Sequence, residues 1–321
     1  MAKKHAYYRR LQQAEAPSDS IQIVFESGTL VFETDESLEG LTPEIMFDPR
    51  IQRFRAPAIE YRLALKELLR RGYPVLDLAR DYEELALDWT EEFSPYPHQS
   101  EAIESWRAAG RRGLVVLPTG AGKSFVARMA IASVSRNCLI AAPTLDLVNQ
   151  WVGGLEQAFG TTIGVMAGGV HDPREITVAT YDSAAIHIDR LGGGFGLVIF
   201  DEAHHLPSPI YRQIAEASIA PFRLGLTATP DRSDGGHDDL KRLVGDTVYR
   251  RGIKELSGDI LADYEVRTIG VVMSEEDTKT YTQNREVYRN FVQAHGIRMG
   301  GRNGLRDFLA TSSRSENGRR A

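Results

Sequence analysis

The sequence predicts an α/β protein in which a parallel-sheet domain follows a small α+β domain and precedes a helical tail. Three observations lead to this prediction. Short apolar runs alternate with helix-periodic segments over residues 93–268, a pattern typical of parallel strands joined by helices. One of these runs is followed at once by the glycine-rich segment "PTGAGKS". Residues 1–92 instead contain two short runs of alternating polarity, which favour a hairpin.

The length and composition limit the kind of protein. At 321 residues the chain exceeds the usual range of roughly 100–200 residues for one domain, so two or three domains are expected. Apolar residues make up 42% and charged residues 26%, which is ordinary for a globular protein. No apolar run approaches the roughly 20 residues needed to cross a bilayer, and the basic N-terminus lacks the apolar core of a secretion signal. We therefore expect a cytoplasmic protein with no membrane partner.

Cys138 is the single cysteine of the chain and lies inside the apolar run "NCLIAA". One cysteine cannot form a disulfide within the chain, and this usage fits a reducing compartment. We expect Cys138 to be a buried packing residue rather than a reactive thiol.

Charge is unevenly distributed along the chain. The formal net charge of −6 argues against a uniformly basic surface for nucleic acid. Residues 26–48 contain seven acidic and no basic residues, whereas residues 50–71 contain seven basic and two acidic residues. Residues 297–321 contain six arginines and two acidic residues. Charge runs usually form solvated surface, so contact with a polyanion is the less common interpretation of these segments.

The first zone, residues 1–92, predicts the small α+β domain. In "IQIVFESGTLVFET" two alternating runs flank Ser27 and Gly28, which predicts a β-hairpin. A helix is predicted over residues 57–71 and is stopped at Gly72. An acidic segment then precedes "FSPYPHQ", which places the predicted domain boundary near residue 92.

The second zone, residues 93–268, predicts the parallel sheet. Helices between the strands would cover both faces of this sheet, and ligands of such sheets bind beyond the carboxyl ends of the strands. The strand candidates are residues 114–117, 138–142, 176–179, 197–200 and 222–226. The helix candidates are residues 124–134, 145–159, 183–190 and 209–218, the last with Ser208 as its N-cap.

The third zone, residues 269–321, predicts the helical tail. The segment "EEDTKTYTQNREVYRNFVQAHGI" indicates one polar helix. A segment rich in glycine, arginine and serine follows it.

The segment "LPTGAGKS" has the context of a phosphate-binding loop, because an apolar strand ends at Leu117 and a helix is predicted from Ser124. Backbone N–H groups of such a loop point at an anion, and glycines allow its close approach. Lys123 would reach the outer phosphates, and the Ser124 hydroxyl would bind Mg²⁺. The stricter pattern has glycine in place of Leu117, so the alternative is a glycine-rich turn with an exposed lysine. The predicted nucleotide-binding residues are Pro118, Thr119, Gly120, Ala121, Gly122, Lys123 and Ser124.

Two acidic residues end the apolar run "LVIFDEAHH". Asp201 would project from the carboxyl edge of the sheet beside the phosphate loop and hold Mg²⁺ through a water molecule. Glu202 would orient or deprotonate an attacking water. His204 and His205 are adjacent and point in different directions, so coupling or packing roles are favoured over a zinc site.

The motifs "LPTGAGKS", "APTLDLVNQW", "TYDSA", "DEAH" and "LGLTATP" occur in the order found in the first motor lobe of superfamily 2 helicases. With "FDPRIQRFRAPAIEYR" before that lobe and "REVYRNFVQAHGI" after it, the chain resembles the N-terminal half of an XPB-type DNA repair helicase. The resemblance extends over most of the chain. It implies a RecA-like, parallel-sheet P-loop NTPase lobe that uses ATP and Mg²⁺ and acts on DNA.

The resemblance also implies roles for individual residues. Gln99 in "PHQSEAI" matches the glutamine that binds adenine, and Thr227 and Thr229 match residues that couple nucleotide state to lobe movement. The residues implied in catalysis are Lys123, Asp201, Glu202 and His204, with His204 also part of the coupling group, and those implied in Mg²⁺ binding are Ser124 and Asp201.

DNA contacts are implied at two positions. Thr144 in "PTLD" matches a position that touches the nucleic-acid backbone, and a threonine that caps a helix leaves N–H groups open to a phosphate. An ordinary N-cap is the equal alternative for Thr144. Arg232 would contact a phosphate, but the chain has Arg232-Ser233-Asp234 where the family has Arg-Glu-Asp, so the carboxylate assigned to duplex opening is missing.

Residues 1–92 resemble the damage-sensing domain of this family, and the segment from about residue 275 resembles the start of its thumb-like insertion. No Gln-x-x-Gly-Arg-x-x-Arg motif of a second motor lobe follows residue 230. We expect a DNA helicase or translocase represented by its first lobe, with the second lobe outside the given sequence, on a second chain, or absent. The alternative is an ATP-gated DNA-binding scaffold, while the "TAT" and "DEAH" motifs argue against a kinase.

Overall fold

The structure is a computed structural model that describes residues 19–90, 94–229, 237–258, 260, 269–297 and 304–313, the side chains of 237–238 and 304–307 excepted. The chain divides into two compact units, Met1–Asp263 and Tyr264–Ala321. The predicted domain boundaries near residues 92 and 268 fall outside the described residues.

A five-stranded sheet forms the first part of unit Met1–Asp263, with the strand order β3-β4-β2-β1-β5. β1 and β2 form the predicted antiparallel hairpin, and Ser27 and Gly28 make its turn with φ of 48° and 78°. A 3₁₀ turn at Ala58–Glu60 precedes the helix α1, so the α-helix predicted over residues 57–71 begins later than expected. The elements are β1 Ile21–Glu26, β2 Thr29–Glu33, β3 Met46–Asp48, β4 Arg53–Pro57, α1 Tyr61–Arg70 and β5 Val75–Asp77.

An eight-stranded sheet forms the second part, with the strand order β13-β6-β12-β11-β7-β10-β8-β9. Every neighbouring pair is parallel except β8 with β9, which confirms the predicted parallel sheet. The strands are β6 Arg112–Val116, β7 Cys138–Ala142, β8 Gly164–Ala167, β9 Val170–Asp172, β10 Ile176–Thr180, β11 Leu197–Asp201, β12 Phe222–Thr227 and β13 Thr247–Arg250.

Helices connect these strands. The helix predicted over residues 209–218 is shorter than expected, because the Ser208 hydroxyl accepts from the Tyr211 N–H at 3.2 Å and stabilises a turn before the helix begins. The helices are α2 Pro97–Ala108, α3 Lys123–Val134, α4 Leu145–Phe159, α5 Tyr181–Leu191, α6 Arg212–Glu216, α7 His237–Leu243 and α8 Ile253–Leu256.

The core of the large sheet has two sides, because successive residues of a strand face opposite ways. Leu114 and Leu139 belong to one apolar cluster, whereas Val115 and Ile140 belong to the other. Cys138 is fully buried, as expected for a packing residue, and burial raises the pKa of its thiol. The sheet is therefore covered on both faces, and its functional groups must lie at the strand ends.

The unit Tyr264–Ala321 contains α9, Glu275–Ala294, and α10, Gly304–Ser312. α9 is the predicted polar helix, and Ser274 caps it by accepting from the Asp277 N–H at 3.0 Å. Phe291 is buried and packs edge-on against Phe308, with ring centroids 5.9 Å apart. Among the described residues, no helix combines the length and the apolar character that crossing a membrane requires.

Candidate functional site

Four neighbouring parallel strands, β6, β12, β11 and β7, end at one edge of the large sheet. The strand register sets Val116 opposite Thr227 and Leu226 opposite Asp201. The segments that follow the four strands therefore lie side by side, although they are distant in sequence. These segments contain most of the predicted site residues.

The glycine-rich loop joins β6 to the N-terminus of the 12-residue helix α3. Gly120 and Gly122 have φ of 85° and 77°, a region that favours glycine. A Cβ atom at Gly122 would also clash with the Gln99 amide nitrogen. Thr119 and Gly120 are exposed, whereas Pro118 and Ala121 are buried. The loop is thus partly exposed at a helix N-terminus, where backbone N–H groups without a helical partner commonly bind an anion.

Lys123 folds back across this loop. Its Nζ donates to the Leu117 carbonyl oxygen at 3.3 Å and lies 3.7 Å from Oε1 of Glu202. Both side chains are largely shielded from water. The lysine of the loop and the acid after β11, which are 79 positions apart in the sequence, therefore form an ion pair.

Asp201 ends β11 and is only 7% exposed. Its Oδ2 accepts from the Trp151 indole N–H at 2.8 Å, and its Oδ1 accepts from the Glu202 backbone N–H at 3.1 Å. Burial raises the pKa of Asp201, the nearby charge of Glu202 raises it further, and the bond from Trp151 opposes the shift. Each oxygen retains capacity for a further partner.

Ser124 and Asp201 line one cavity of about 140 Å³. A serine hydroxyl and a carboxylate are hard oxygen donors of the kind that Mg²⁺ prefers, with water completing its coordination. The two residues thus fit the metal that the motifs imply, and the cavity offers room for water beside them.

Glu202 adopts an unusual backbone conformation, with φ of 47° and ψ of 55°. Such a conformation costs a non-glycine residue of order 1–3 kcal/mol and often marks a functional position. Its Oε2 lies 3.4 Å from Nδ1 of His204, which in turn lies 3.0 Å from the Thr227 hydroxyl. The Thr227 hydroxyl also accepts from the Thr229 N–H at 3.1 Å. A continuous polar chain therefore joins the acid to the two threonines.

Gln99 is buried at the start of α2 and contacts the loop directly. Its Oε1 accepts from the Tyr96 N–H at 3.0 Å, and its Nε2 donates to the Ala121 carbonyl oxygen at 3.3 Å. His98 was not predicted, yet its Nε2 lies 2.8 Å from the same carbonyl. The two side chains therefore bind the loop through one carbonyl oxygen, and the amide group of Gln99 is already used in this contact.

Of the two predicted DNA-contact residues, only Thr144 is among the described residues. Thr144 is the exposed N-cap of α4, and its hydroxyl accepts from the Leu147 N–H at 3.3 Å. This is the ordinary capping role, and a DNA contact at Thr144 stays a prediction. Arg232, with Ser233 and Asp234, lies outside the described residues.

Sequence reasoning missed the residues that support the carboxylate. Trp151 donates to the side chain of Asp201, and the Tyr181 hydroxyl donates to its backbone oxygen at 2.9 Å. Trp151 is part of the quoted motif "APTLDLVNQW", so its position in a motif was the one available signal. Nothing in the sequence distinguishes it from an ordinary core tryptophan.

Comparison with known families divides the chain in two. Residues 23–79 match the xeroderma pigmentosum group B helicase damage recognition domain. Residues 92–232 match the type III restriction enzyme, res subunit. The two matches together cover more than half of the chain, and the second contains the loop, Asp201 and Glu202.

Curated relatives match across both parts. The DNA 3'-5' translocase XPB2 of Sulfurisphaera tokodaii is 35% identical over 261 residues, which cover 81% of this chain and 59% of the relative. The DNA 3'-5' helicase XPB of Kineococcus radiotolerans is 31% identical over 283 residues, which cover 78% and 50%. The chain thus spans about half the length of these relatives.

Among solved structures, the UvsW helicase of bacteriophage T4 is similar with a TM-score of 0.43 and 17% identity, over 72% of this chain and 99% of that chain. Similarity at this level supports no inference about function. The family matches and the curated relatives both point to one family. The chain belongs to the XPB-like family of DNA 3'-5' helicases and corresponds to the N-terminal part of its members.

Proposed function

We propose that this chain binds Mg²⁺-ATP at the carboxyl edge of the large sheet, as the first motor lobe of a DNA helicase or translocase. One observation carries the proposal: Nζ of Lys123 lies 3.7 Å from Glu202, while Ser124 and Asp201 face a common cavity. A phosphate-binding cation, two metal ligands and a general base are thereby within reach of one triphosphate.

The phosphates would occupy the loop at residues 118–124 and accept hydrogen bonds from its backbone N–H groups. Lys123 would exchange the Leu117 carbonyl for a phosphate oxygen, which removes its positive charge from the neighbourhood of Glu202. Gln99, already bonded to the loop, would accept and donate at the adenine edge after a change of partner. Each of these movements is a side-chain rotation within the existing backbone.

Ser124 and Asp201 would hold Mg²⁺, Asp201 through a water molecule. The ion, when bound, neutralises charge on the β- and γ-phosphates. Glu202 would accept a proton from the water that attacks the γ-phosphorus, and the bond to the leaving β–γ bridging oxygen breaks. The polar chain from Glu202 through His204 to Thr227 and Thr229 would transmit the change in charge to the segment that follows β12.

DNA is the proposed partner, since the curated relatives are named DNA 3'-5' translocase and DNA 3'-5' helicase. We assign backbone contacts to Thr144 and Arg232, with residues 1–92 as a damage-sensing domain, residues 93–268 as the motor lobe and residues 269–321 as the start of a thumb-like insertion. Cytoplasm or nucleoid is the corresponding location.

A second candidate function has its own support. No Gln-x-x-Gly-Arg-x-x-Arg motif follows residue 230, so the chain as given supplies no arginine finger of that kind. Such an arginine contributes roughly 10³–10⁵ in kcat, which corresponds to about 4–7 kcal/mol of transition-state stabilisation. Tested by itself, the given sequence would then act as an ATP-gated DNA-binding scaffold, and fast hydrolysis would require a second lobe, whether that lobe follows the given sequence or is supplied by a second chain.

Lys123→Ala tests the nucleotide site. We expect the affinity for a nonhydrolysable ATP analogue, measured by calorimetry, to fall by about 10- to 100-fold, because a hydrogen bond from a charged donor contributes about 1.5–3 kcal/mol. Lys66→Ala is the control, since Lys66 is exposed on α1. Equal affinities for the two variants would remove the phosphate-loop assignment.

DNA-stimulated ATPase activity separates motor from scaffold. The chain is assayed alone and with a chain that supplies the second lobe, and hydrolysis is expected to rise by at least about 10³-fold with the lobe and DNA present. ATP binding without any such stimulation would favour the scaffold.

A further inference from the structure

Helix α4 places a buried indole against the carboxylate of the candidate site. Trp151 is 5% exposed, and its Nε1–H donates to Oδ2 of Asp201 at 2.8 Å. Among the described residues, the other donor to this carboxylate is the backbone N–H of Glu202 at 3.1 Å. Trp151 is therefore the side chain that fixes one of the two oxygens from outside the strand.

The same helix forms one wall of the cavity that Asp201 faces. Gln150, Trp151 and Gly154 of α4 line it opposite Ser124 and Arg128 of α3. Asp201 thus lies at the junction of the two helices, with the indole on the α4 side and the Ser124 hydroxyl on the α3 side. The remaining acceptor capacity of the carboxylate is available to this space.

The carboxylate of Asp201 needs a partner such as the Trp151 indole to hold one orientation. The terminal torsion of an aspartate is soft, with broad rotameric wells. An indole has two rotatable bonds, one donor and no acceptor, so it holds an oxygen in place without offering an alternative geometry. Packing fixes the indole itself, since Trp151 shares an apolar cluster with Val148 and Leu155 of its own helix.

We propose that Trp151 is a positioning residue for Asp201, which orients the carboxylate toward Ser124 so that the pair can hold Mg²⁺. The inference rests on the proposed Mg²⁺-nucleotide site. Loss of an outer partner of a metal-binding group typically lowers metal affinity by about 10- to 100-fold. A purely structural tryptophan would change stability alone.

Trp106 provides a matched control. It is fully buried, and its indole N–H donates at 2.8 Å to a backbone oxygen, that of Arg223, rather than to a site carboxylate. Trp151→Phe and Trp106→Phe each remove one buried indole donor and keep an aromatic ring. Thermal unfolding establishes that each variant is folded before binding is compared.

The measurement is the affinity of a nonhydrolysable ATP analogue at a series of Mg²⁺ concentrations. We expect Trp151→Phe to need about 10-fold more Mg²⁺ for half of the affinity gain, with unchanged affinity in EDTA. Trp106→Phe should behave as wild type. A folded Trp151→Phe variant with the wild-type Mg²⁺ dependence would overturn the inference and leave the nucleotide site intact.

A second measurement keeps Trp151 in place. The chain has three tryptophans, so incorporation of 5-fluorotryptophan gives three ¹⁹F resonances, which Trp89→Phe and Trp106→Phe assign. The Trp151 resonance should shift when Mg²⁺ is added to the analogue complex, and the Trp106 resonance should not. A Trp151 resonance indifferent to Mg²⁺ would refute the inference. A wild-type chain that binds no analogue would refute the proposed function together with it.

Discussion

The neighbouring strands β12 and β11 of the large sheet each bury one charged side chain. The two charges lie at opposite ends of the parallel strands, the amino edge and the carboxyl edge of the sheet, and their surroundings differ. Arg223, near the amino end of β12, is 1% exposed, and backbone carbonyl oxygens surround its guanidinium. It donates to the oxygens of Ala220 at 3.2 Å, Leu243 at 2.7 Å and Ser218 at 2.8 Å. Asp201, at the carboxyl end of β11, receives one donor on each oxygen and still faces a cavity.

The difference distinguishes a charge that the fold fully satisfies from a charge that keeps acceptor capacity for a ligand, as the proposed site requires. Burial disfavours both charges, since it lowers the pKa of Arg223 and raises that of Asp201. The arginine compensates by binding three carbonyl oxygens from two segments, the turn before β12 and the end of α7, so it joins these segments to the strand. The carboxylate is held in place while part of its capacity remains available, as expected of a residue that binds a ligand.

The two edges also differ in what covers them. The amino edge is covered by the N-terminal sheet and α1: Arg62 donates to the carbonyl oxygens of Gly110 at 2.9 Å and Pro221 at 3.2 Å, and Ile59 joins the apolar cluster of the large sheet. The carboxyl edge presents the exposed Thr119 and Ser124 instead. One edge thus supplies stability, and the other is left open for a ligand.

Arg223→Met should give the largest effect. The methionine leaves three backbone acceptors without their donor, and we expect the free energy of unfolding in urea to fall by about 3 kcal/mol. Nucleotide affinity of the folded fraction should not change. Arg242→Met, which removes only a partly exposed pair with Glu216, should cost less than about 1 kcal/mol. Equal losses in the two variants would contradict the structural role of Arg223.

Asp201→Asn should show the opposite profile. Analogue affinity in Mg²⁺ is expected to fall by about 10- to 100-fold, since a charged acceptor is lost. The free energy of unfolding should change by less than about 1 kcal/mol. Removing a buried charge is favourable, but this gain is offset where the new amide faces the Glu202 N–H. Asp182→Asn, which alters an exposed acceptor of the Tyr211 hydroxyl, should leave affinity unchanged. A large loss of stability in Asp201→Asn would contradict the difference between the two buried charges, because Asp201 would then stabilise the fold as Arg223 does.

Arg62→Ala should have the smallest effect. Loss of the two bonds to Gly110 and Pro221 from an exposed side chain is expected to cost about 1 kcal/mol. Hydrogen exchange should accelerate in α1 more than in β11. Arg70→Ala is the control, because Arg70 pairs with Glu67 on its own helix. Unchanged exchange in α1 would show that these bonds contribute little to the contact between the two sheets.

The parts of the fold that the sequence predicted share a physical cause. Residues 138–142 and 197–201 are buried at every position, so both faces demand apolar side chains and the strands are visible as continuous runs. β9 is fully exposed, β8 is only four residues long, and β13 is an outermost strand of the sheet. None of them has such a continuous apolar run. All three went unpredicted.

The site shows the same division. The placement of the loop at residues 118–124 beside Asp201 and Glu202 was predictable, because each segment follows an apolar strand and parallel strands end at the same edge of a sheet. Their roles toward a nucleotide stay a prediction. The place of His98 was not predictable, since its contact with Ala121 joins residues 23 positions apart and its sequence context is that of any helix start. The burial of Gln99 against Gly122 was equally invisible.

The sequence by itself determined the order of strand, loop and helix, the residue types at the ends of the strands and the family. Local chemistry fixes these features, because periodicity, glycine conformation and charge act within a few residues. Only the tertiary structure decided that Trp151 supports Asp201 from 50 positions away, that Lys123 meets Glu202, and that the buried charge of Arg223 is structural. Each of these depends on which strand ends and helices become neighbours, and hydrogen bonds exist only between atoms about 3 Å apart.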